Sequence, residues 1–263
     1  MKYSTIITAV LTALILSACG GTKVLKNSQP LQATEPLAAA SDQRVTAILD
    51  WVIVRDGPGT WAKNADWDEY LLRVSNLSDQ PIQITGLIVI DSLDTRIEPA
   101  PGRKHLVKGS KLTARRYKDS GIKVKAGRGT GTMLVAGAAL TAVGYGAANI
   151  AMVYGAIGGT AASTASSAGA AAGGLLLLGP ALVVGGVVRG VRNSAVNKEI
   201  VQRQTQLPLQ ISTGEQLTLD IFFPLAPSPR LVEIIYADAN GEHRLGIDTS
   251  AALHGLHMDA SKE

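Results

Sequence analysis

The sequence predicts a mainly β, two-layer body interrupted by a Gly/Ala-rich α-helical transmembrane hairpin. Three observations carry this. Residues 129–188 lack any Asp, Glu, Lys, Arg or His and consist mostly of Gly, Ala, Leu, Val, Ser and Thr. Short segments on both sides of that stretch alternate with a period of two, the pattern of strands with one buried face. Neither side alone has enough of these segments to close two layers, so both are expected to share one core.

In chain order, Met1 and Lys2 begin a short positive region, residues 6–16 are apolar, and Leu16-Ser17-Ala18-Cys19 follows. An aliphatic residue and two small ones before Cys resemble the lipobox of bacterial lipoproteins. The resemblance implies that residues 1–18 are a signal peptide, that cleavage falls before Cys19, and that acyl chains modify its thiol and the new amino terminus. Gly20 would then be the second residue of the mature chain, which by resemblance to enterobacterial sorting implies the outer membrane. Cys19 is the one cysteine in the chain. With its thiol consumed no disulfide forms, and folding rests on packing. Residues 19–43 read as the lipidated Cys and a tether, with Pro30, Pro36, an Ala run and no sustained period.

Residues 44–126 are the first part of the expected sandwich. Residues 45–55 are rich in β-branched side chains and end at the turn cluster Asp56-Gly57-Pro58-Gly59. Residues 69–74 form a second strand. Residues 82–91 form a third, with Ile82, Ile84, Gly86, Ile88 and Ile90 on one face. Residues 95–98 suit a short edge strand because Pro99 and Pro101 follow. The basic segment 104–125 offers short strands at 111–113 and 122–124. The second part, residues 207–250, supplies strands at 207–211, 216–223, 230–236 and 243–247, with a hairpin turn at Asp238-Ala239-Asn240-Gly241. Seven or eight short strands at this spacing match an immunoglobulin-like sandwich. Residues 251–263 read as a solvated tail.

Residues 127–206 hold the hairpin and a trailing helix. At about 1.5 Å per residue one helix over 129–188 would far exceed a ~30 Å hydrocarbon core, whereas two antiparallel arms fit it. Ser163-Thr164-Ala165-Ser166-Ser167 marks the turn. In the first arm Ala139, Ala147, Ala151, Gly155 and Gly159 lie on one stripe at spacing four, with Val143 in the remaining place. Gly169, Gly173 and Gly185 punctuate the second arm, which Pro180 should kink. Such stripes let helix backbones approach closely in lipid. An even number of crossings leaves both β segments on one side. Cations flank the stretch: Arg115, Arg116, Lys118, Lys123, Lys125 and Arg128 before it, Arg189, Arg192, Lys198 and Arg203 after it.

With the lipobox, this layout resembles the TraT-type surface-exclusion lipoproteins of conjugative plasmids and the glycine-zipper lipoproteins of the outer membrane. The resemblance is one of architecture, over Cys19 and residues 127–190, and implies a lipid-anchored assembly.

The chemistry of the remaining motifs is weak. The net charge of +4 comes without aromatic stacking platforms, so anionic lipid headgroups are a better match than nucleic acid. Residues 127–132 imitate a phosphate loop but lack its Gly-Lys-Ser/Thr ending, and serve instead as a flexible approach to the hairpin. His243, His254 and His257 lack metal-ligand spacing, and Asp66, Asp68 and Glu69 beside Trp67 read as a charged loop before a strand. No catalytic constellation, cofactor or metal is expected. The expected function is that of a non-enzymatic outer-membrane lipoprotein, homo-oligomeric through its hairpin, with a structural role in the envelope or beside the proteins of a secretion complex. A pore-forming or secreted membrane-penetrating protein is the alternative, and a monomeric ligand-binding lipoprotein the second.

Overall fold

The computed structural model describes residues 21–28, 31, 35–130 and 185–258. Most of the expected hairpin, residues 131–184, lies outside the described residues, as does Cys19. Within the described residues the chain is mainly β, in antiparallel sheets with two helices.

One sheet contains β2 (Ala38–Ser41), β3 (Val45–Ile53), β5 (Asp68–Asn76) and β9 (Gln216–Phe223), in the order β2-β3-β5-β9. The other runs β11-β10-β6-β7, from β6 (Ile82–Ile90), β7 (Arg96–Ile97), β10 (Leu231–Asp238) and β11 (Gly241–Asp248). A further strand, β8 (Leu209–Ile211), also pairs with β6. A separate ribbon joins β1 (Lys23–Val24) to β4 (Ala62–Lys63). Each large sheet draws on both sides of residues 131–184. In one, β5 pairs with β9 from Asp68↔Phe223 to Ser75↔Gln216; in the other, β6 pairs with β10 from Ile90↔Leu231 to Gln83↔Ala237.

Side chains from both sheets meet in one core, including Leu49, Tyr70, Leu72, Ile84, Phe223 and Ile234. Tyr70 and Phe223 pack edge to face at 5.0 Å. The sheets are also joined at one corner. Asp42 Oδ2 accepts from Tyr236 Oη at 2.7 Å, and Arg44 Nε lies 3.2 Å from Asp238 Oδ2.

Four expectations need correction. The face assigned to residues 82–90 changes partway along. Ile82 and Ile84 point inward, then Leu87 and Val89, because a bulge leaves Thr85 unpaired between Gly86↔Ile235 and Ile84↔Tyr236. The tether is shorter than expected. Leu37 and all four residues of β2 are buried, and with both faces covered the Ala run has no reason to alternate. The strands expected at 111–113 and 122–124 are not there: α1 (Gly102–Asp119) replaces the first, and Val124 makes only an isolated bridge to Met258. The buried stripe of α1 is Leu106, Ser110, Thr113 and Tyr117, and two polar members disguise its helical period. The tail is not solvated as a whole, because Ala252, Leu253, Leu256 and His257 are buried.

Candidate functional site

The clearest local concentration of unusual features lies where the uncharged stretch leaves and rejoins the body. α1 and α2 (Gly185–Arg203) cover the outer face of the β2-β3-β5-β9 sheet. They pack on a cluster that includes Trp61, Trp67, Leu106, Val196, Ile200 and Phe222. Phe222 reaches it because it alternates with Ile221 and Phe223, which point into the main core. The Trp61 ring meets Phe222 edge-on at 6.3 Å.

Thr22 ties both helices to the start of the body. Its hydroxyl donates to Asn193 Oδ1 at 2.9 Å and accepts from Arg103 Nε at 2.5 Å. Asn197 Oδ1 accepts from the Arg103 backbone N–H at 3.0 Å. Cys19, outside the described residues, is three residues before Thr22 in the sequence. On the departing side, Thr130 approaches Gly57, where a Cβ would lie 3.1 Å from Thr130 Cγ2. Residues 57–64 then run from that contact to β4, and the β1–β4 ribbon leads back to Thr22. Thr22 thus joins the start of the body to the helix that follows the uncharged stretch, while Thr130 rests on the loop that leads to β4.

The departing segment is clamped rather than loose, which corrects the flexible reading of its described part. His257 N–H donates to Arg128 O at 2.7 Å, Lys125 N–H donates to His257 O at 2.9 Å, and Gly127 N–H donates to His257 Nδ1 at 3.2 Å. Gly127 has φ +77°, and a Cβ there would collide with the Arg55 carbonyl. His257 itself holds φ 64°, a left-handed conformation that these bonds over-determine. Since Nδ1 accepts from Gly127, Nε2 carries the proton. It stands 2.9 Å from Asp68 Oδ1, close but without hydrogen-bond alignment, and both side chains are fully buried. Asp68 Oδ2 accepts from Ala226 N–H at 3.2 Å. Burial, with the Asp68 charge adding to it, raises the neighbouring Tyr70 hydroxyl well above its ordinary value. A pair closed off from solvent in this way braces the turn and reaches no substrate.

A second set of carboxylates, buried Glu69 and half-buried Asp220, lies under α2. Glu69 Oε2 accepts from Trp61 Nε1, and Glu69 Oε1 is 3.6 Å from Arg203 Nη1. The Arg203 guanidinium also stacks on the Trp61 ring at 4.9 Å. Burial and then the charge of Glu69 push the Asp220 carboxyl up to about 8, with Arg203 opposing. Burial raises Glu69 too, against the hydrogen bond from Trp61 and the pull of Arg203.

Folded Asp220 thus holds its proton more tightly than the unfolded chain, whose ordinary value is 3.8. Its stabilising contribution is full below about pH 4 and disappears as pH rises through about 8. Asp220→Asn should therefore raise stability relative to the parent by a margin that grows from pH 5 to pH 9, reaching about 1–2 kcal/mol. Thermal melts across that range check this, and a margin that does not change with pH contradicts it.

Asp68, Glu69, Asp220 and His257 were not legible as a site. Glu69 and Asp220 occupy the outer face of their strands, where charge is unremarkable. The available signal was Phe222 on that same face, which implies a covering layer. Among the residues expected to matter, Gly185 is the first residue of α2, while Cys19, Ala139, Ala147, Ala151, Gly155, Gly159, Gly169 and Gly173 lie outside the described residues. The histidines are separated: His243 contacts Asp238 at 3.0 Å, His257 contacts Asp68, and no group of three metal-ligating side chains occurs among the described residues. No helix among the described residues is long and apolar enough to cross a membrane. An open cleft of about 610 Å³ near β10 and β11 includes Arg230 and Arg244, which are already paired with Asp94 and Glu233. No family model, curated protein or solved structure matches the chain.

Proposed function

We propose that this chain is a non-enzymatic outer-membrane lipoprotein whose uncharged stretch forms a transmembrane hairpin and assembles several copies. Acylated Cys19 anchors it, the β body is periplasmic, and the Gly/Ala stripes pack arm against arm. The immunoglobulin-like form of the sandwich belongs to the same reading, and so does a structural role in the envelope or beside a secretion complex. The observation that carries the proposal is the bond between the start of the body and the helix that follows the uncharged stretch. Thr22 is bonded to Asn193 of α2, and the loop after Gly57 links the departure at Thr130 to the same ribbon. An acylated Cys19 three residues before Thr22 would bring lipid to the part of the body on which α2 rests, which suits an uncharged stretch that enters the membrane and returns.

Replacing Gly155 and Gly159 by Leu tests the assembly. The oligomer in mild detergent should fall apart to smaller particles while the protein stays in washed membranes. An unchanged particle mass counts against the zipper. Release of the parent protein from envelopes once its acyl chains are removed counts against the hairpin.

A further inference from the structure

We infer that the outer row of α1 is a docking face for the headgroups of anionic glycerophospholipids. This rests on the membrane-anchored reading above and assigns the surface that would lie against the lipid. Lys104, Lys108, Lys111, Arg115 and Lys118 follow one another at spacings of four and three, so they form a single row along the helix. All five are exposed, and none makes an ion pair among the described residues. At 1.5 Å per residue the row is roughly 20 Å long.

Arginines in and beside the sheets are treated differently. Arg44, Arg55, Arg73, Arg96 and Arg230 each face a carboxylate. The lysines are also segregated. Every described lysine lies in β1 and the residues just after it, β4, α1, the segment at 123–125 or α2, and the two large sheets contain none. α1 has no acidic residue before Asp119. Like charges at helical spacing repel, and an opposing anionic surface removes that repulsion.

Leu112 narrows the choice of partner. It is 59% exposed and lies between Lys108, Lys111 and Arg115, an apolar side chain at the level of a phosphate layer. A bilayer surface accommodates that pair of features, with cations on phosphates and Leu112 at the acyl boundary. A nucleic acid would call for aromatic platforms, and α1 has only Tyr117, which is buried.

The full chain should be mixed with phosphatidylcholine vesicles, with vesicles one third phosphatidylglycerol, and with a short single-stranded RNA. Hydrogen exchange of α1 and flotation are then read together. Exchange across 104–118 should slow about tenfold with phosphatidylglycerol alone, reverse in half-molar salt, and be lost in a variant carrying K104Q, K108Q, K111Q, R115Q and K118Q. Exchange of Val196 and Ile200 in that variant reports whether the fold is intact. Equal exchange in both lipids, slowing that survives the five substitutions, or slowing with RNA but not lipid overturns the inference. Salt-resistant flotation with pure phosphatidylcholine reports the anchor and hairpin separately. A chain that floats there with an indifferent α1 refutes only the docking face. A chain that stays in solution with phosphatidylcholine, yet shows the phosphatidylglycerol effect, refutes only the anchored reading.

Discussion

Replacing His257 by Ala should destabilise the body by about 2–4 kcal/mol, because it opens a cavity beside the buried Asp68 carboxyl and removes the imidazole N–H facing it. Asp68 keeps one backbone N–H, from Ala226, and no route to water. The same change takes the acceptor from Gly127 N–H, so the clamp on the departing segment loosens with the core. Thermal or urea unfolding measures the loss. His257→Ala combined with Asp68→Asn should recover part of it, since a neutral amide is less costly to leave buried than a carboxylate. A loss under 1 kcal/mol would show that the pair contributes little and that the segment is held by its backbone bonds and by Leu253 and Leu256.

Trp61→Ala has a comparable expected effect, about 3–5 kcal/mol for an aromatic side chain 4% exposed in a packed cluster. The indole contacts Trp67 and Phe222, carries Arg203 on its face, and donates to Glu69. Its removal therefore opens a cavity under α2 and strips a donor from a buried carboxyl at once. Hydrogen exchange should rise at Val196 and Ile200 before it rises at Tyr70 and Leu72 in the main core. Uniform loss across both clusters would mean that the helical layer does not melt separately. Trp61→Phe keeps much of the packing but not the indole N–H, and should fall between the two.

The strand content was legible because β-branched runs bounded by Gly, Pro, Asn and Asp fix where strands begin and end. Strands β9 and β7 lie where the pattern put them. Local periodicity does not see bulges. At Asp50 the pairing steps from Leu49↔Leu72 to Trp51↔Leu71, and at Thr85 a similar step swaps the inward face. Nor does it see a helix whose buried side includes Ser110 and Thr113. Ser110 is at home there because its hydroxyl accepts from Leu225 N–H at 3.0 Å and stands 2.9 Å from Leu106 O, while Gly109 beside it makes room for Pro224. The carboxylates were hidden for another reason. Whether Asp68 or Asp220 meets water depends on elements far away in sequence, the terminal turn for one and α2 for the other. A one-dimensional pattern carries no record of those encounters.

The pairing of β5 with β9 and of β6 with β10 also sets an order of events. While only the chain before the uncharged stretch is available, β5 has one bare edge and β6 is paired only with the two-residue β7, because β8, β9 and β10 lie beyond that stretch. Loop closure over so long a separation is slow, and bare edges recruit other chains. Completion must wait until the carboxyl-terminal strands arrive. Whatever shields those edges in the interval lowers the risk of that recruitment.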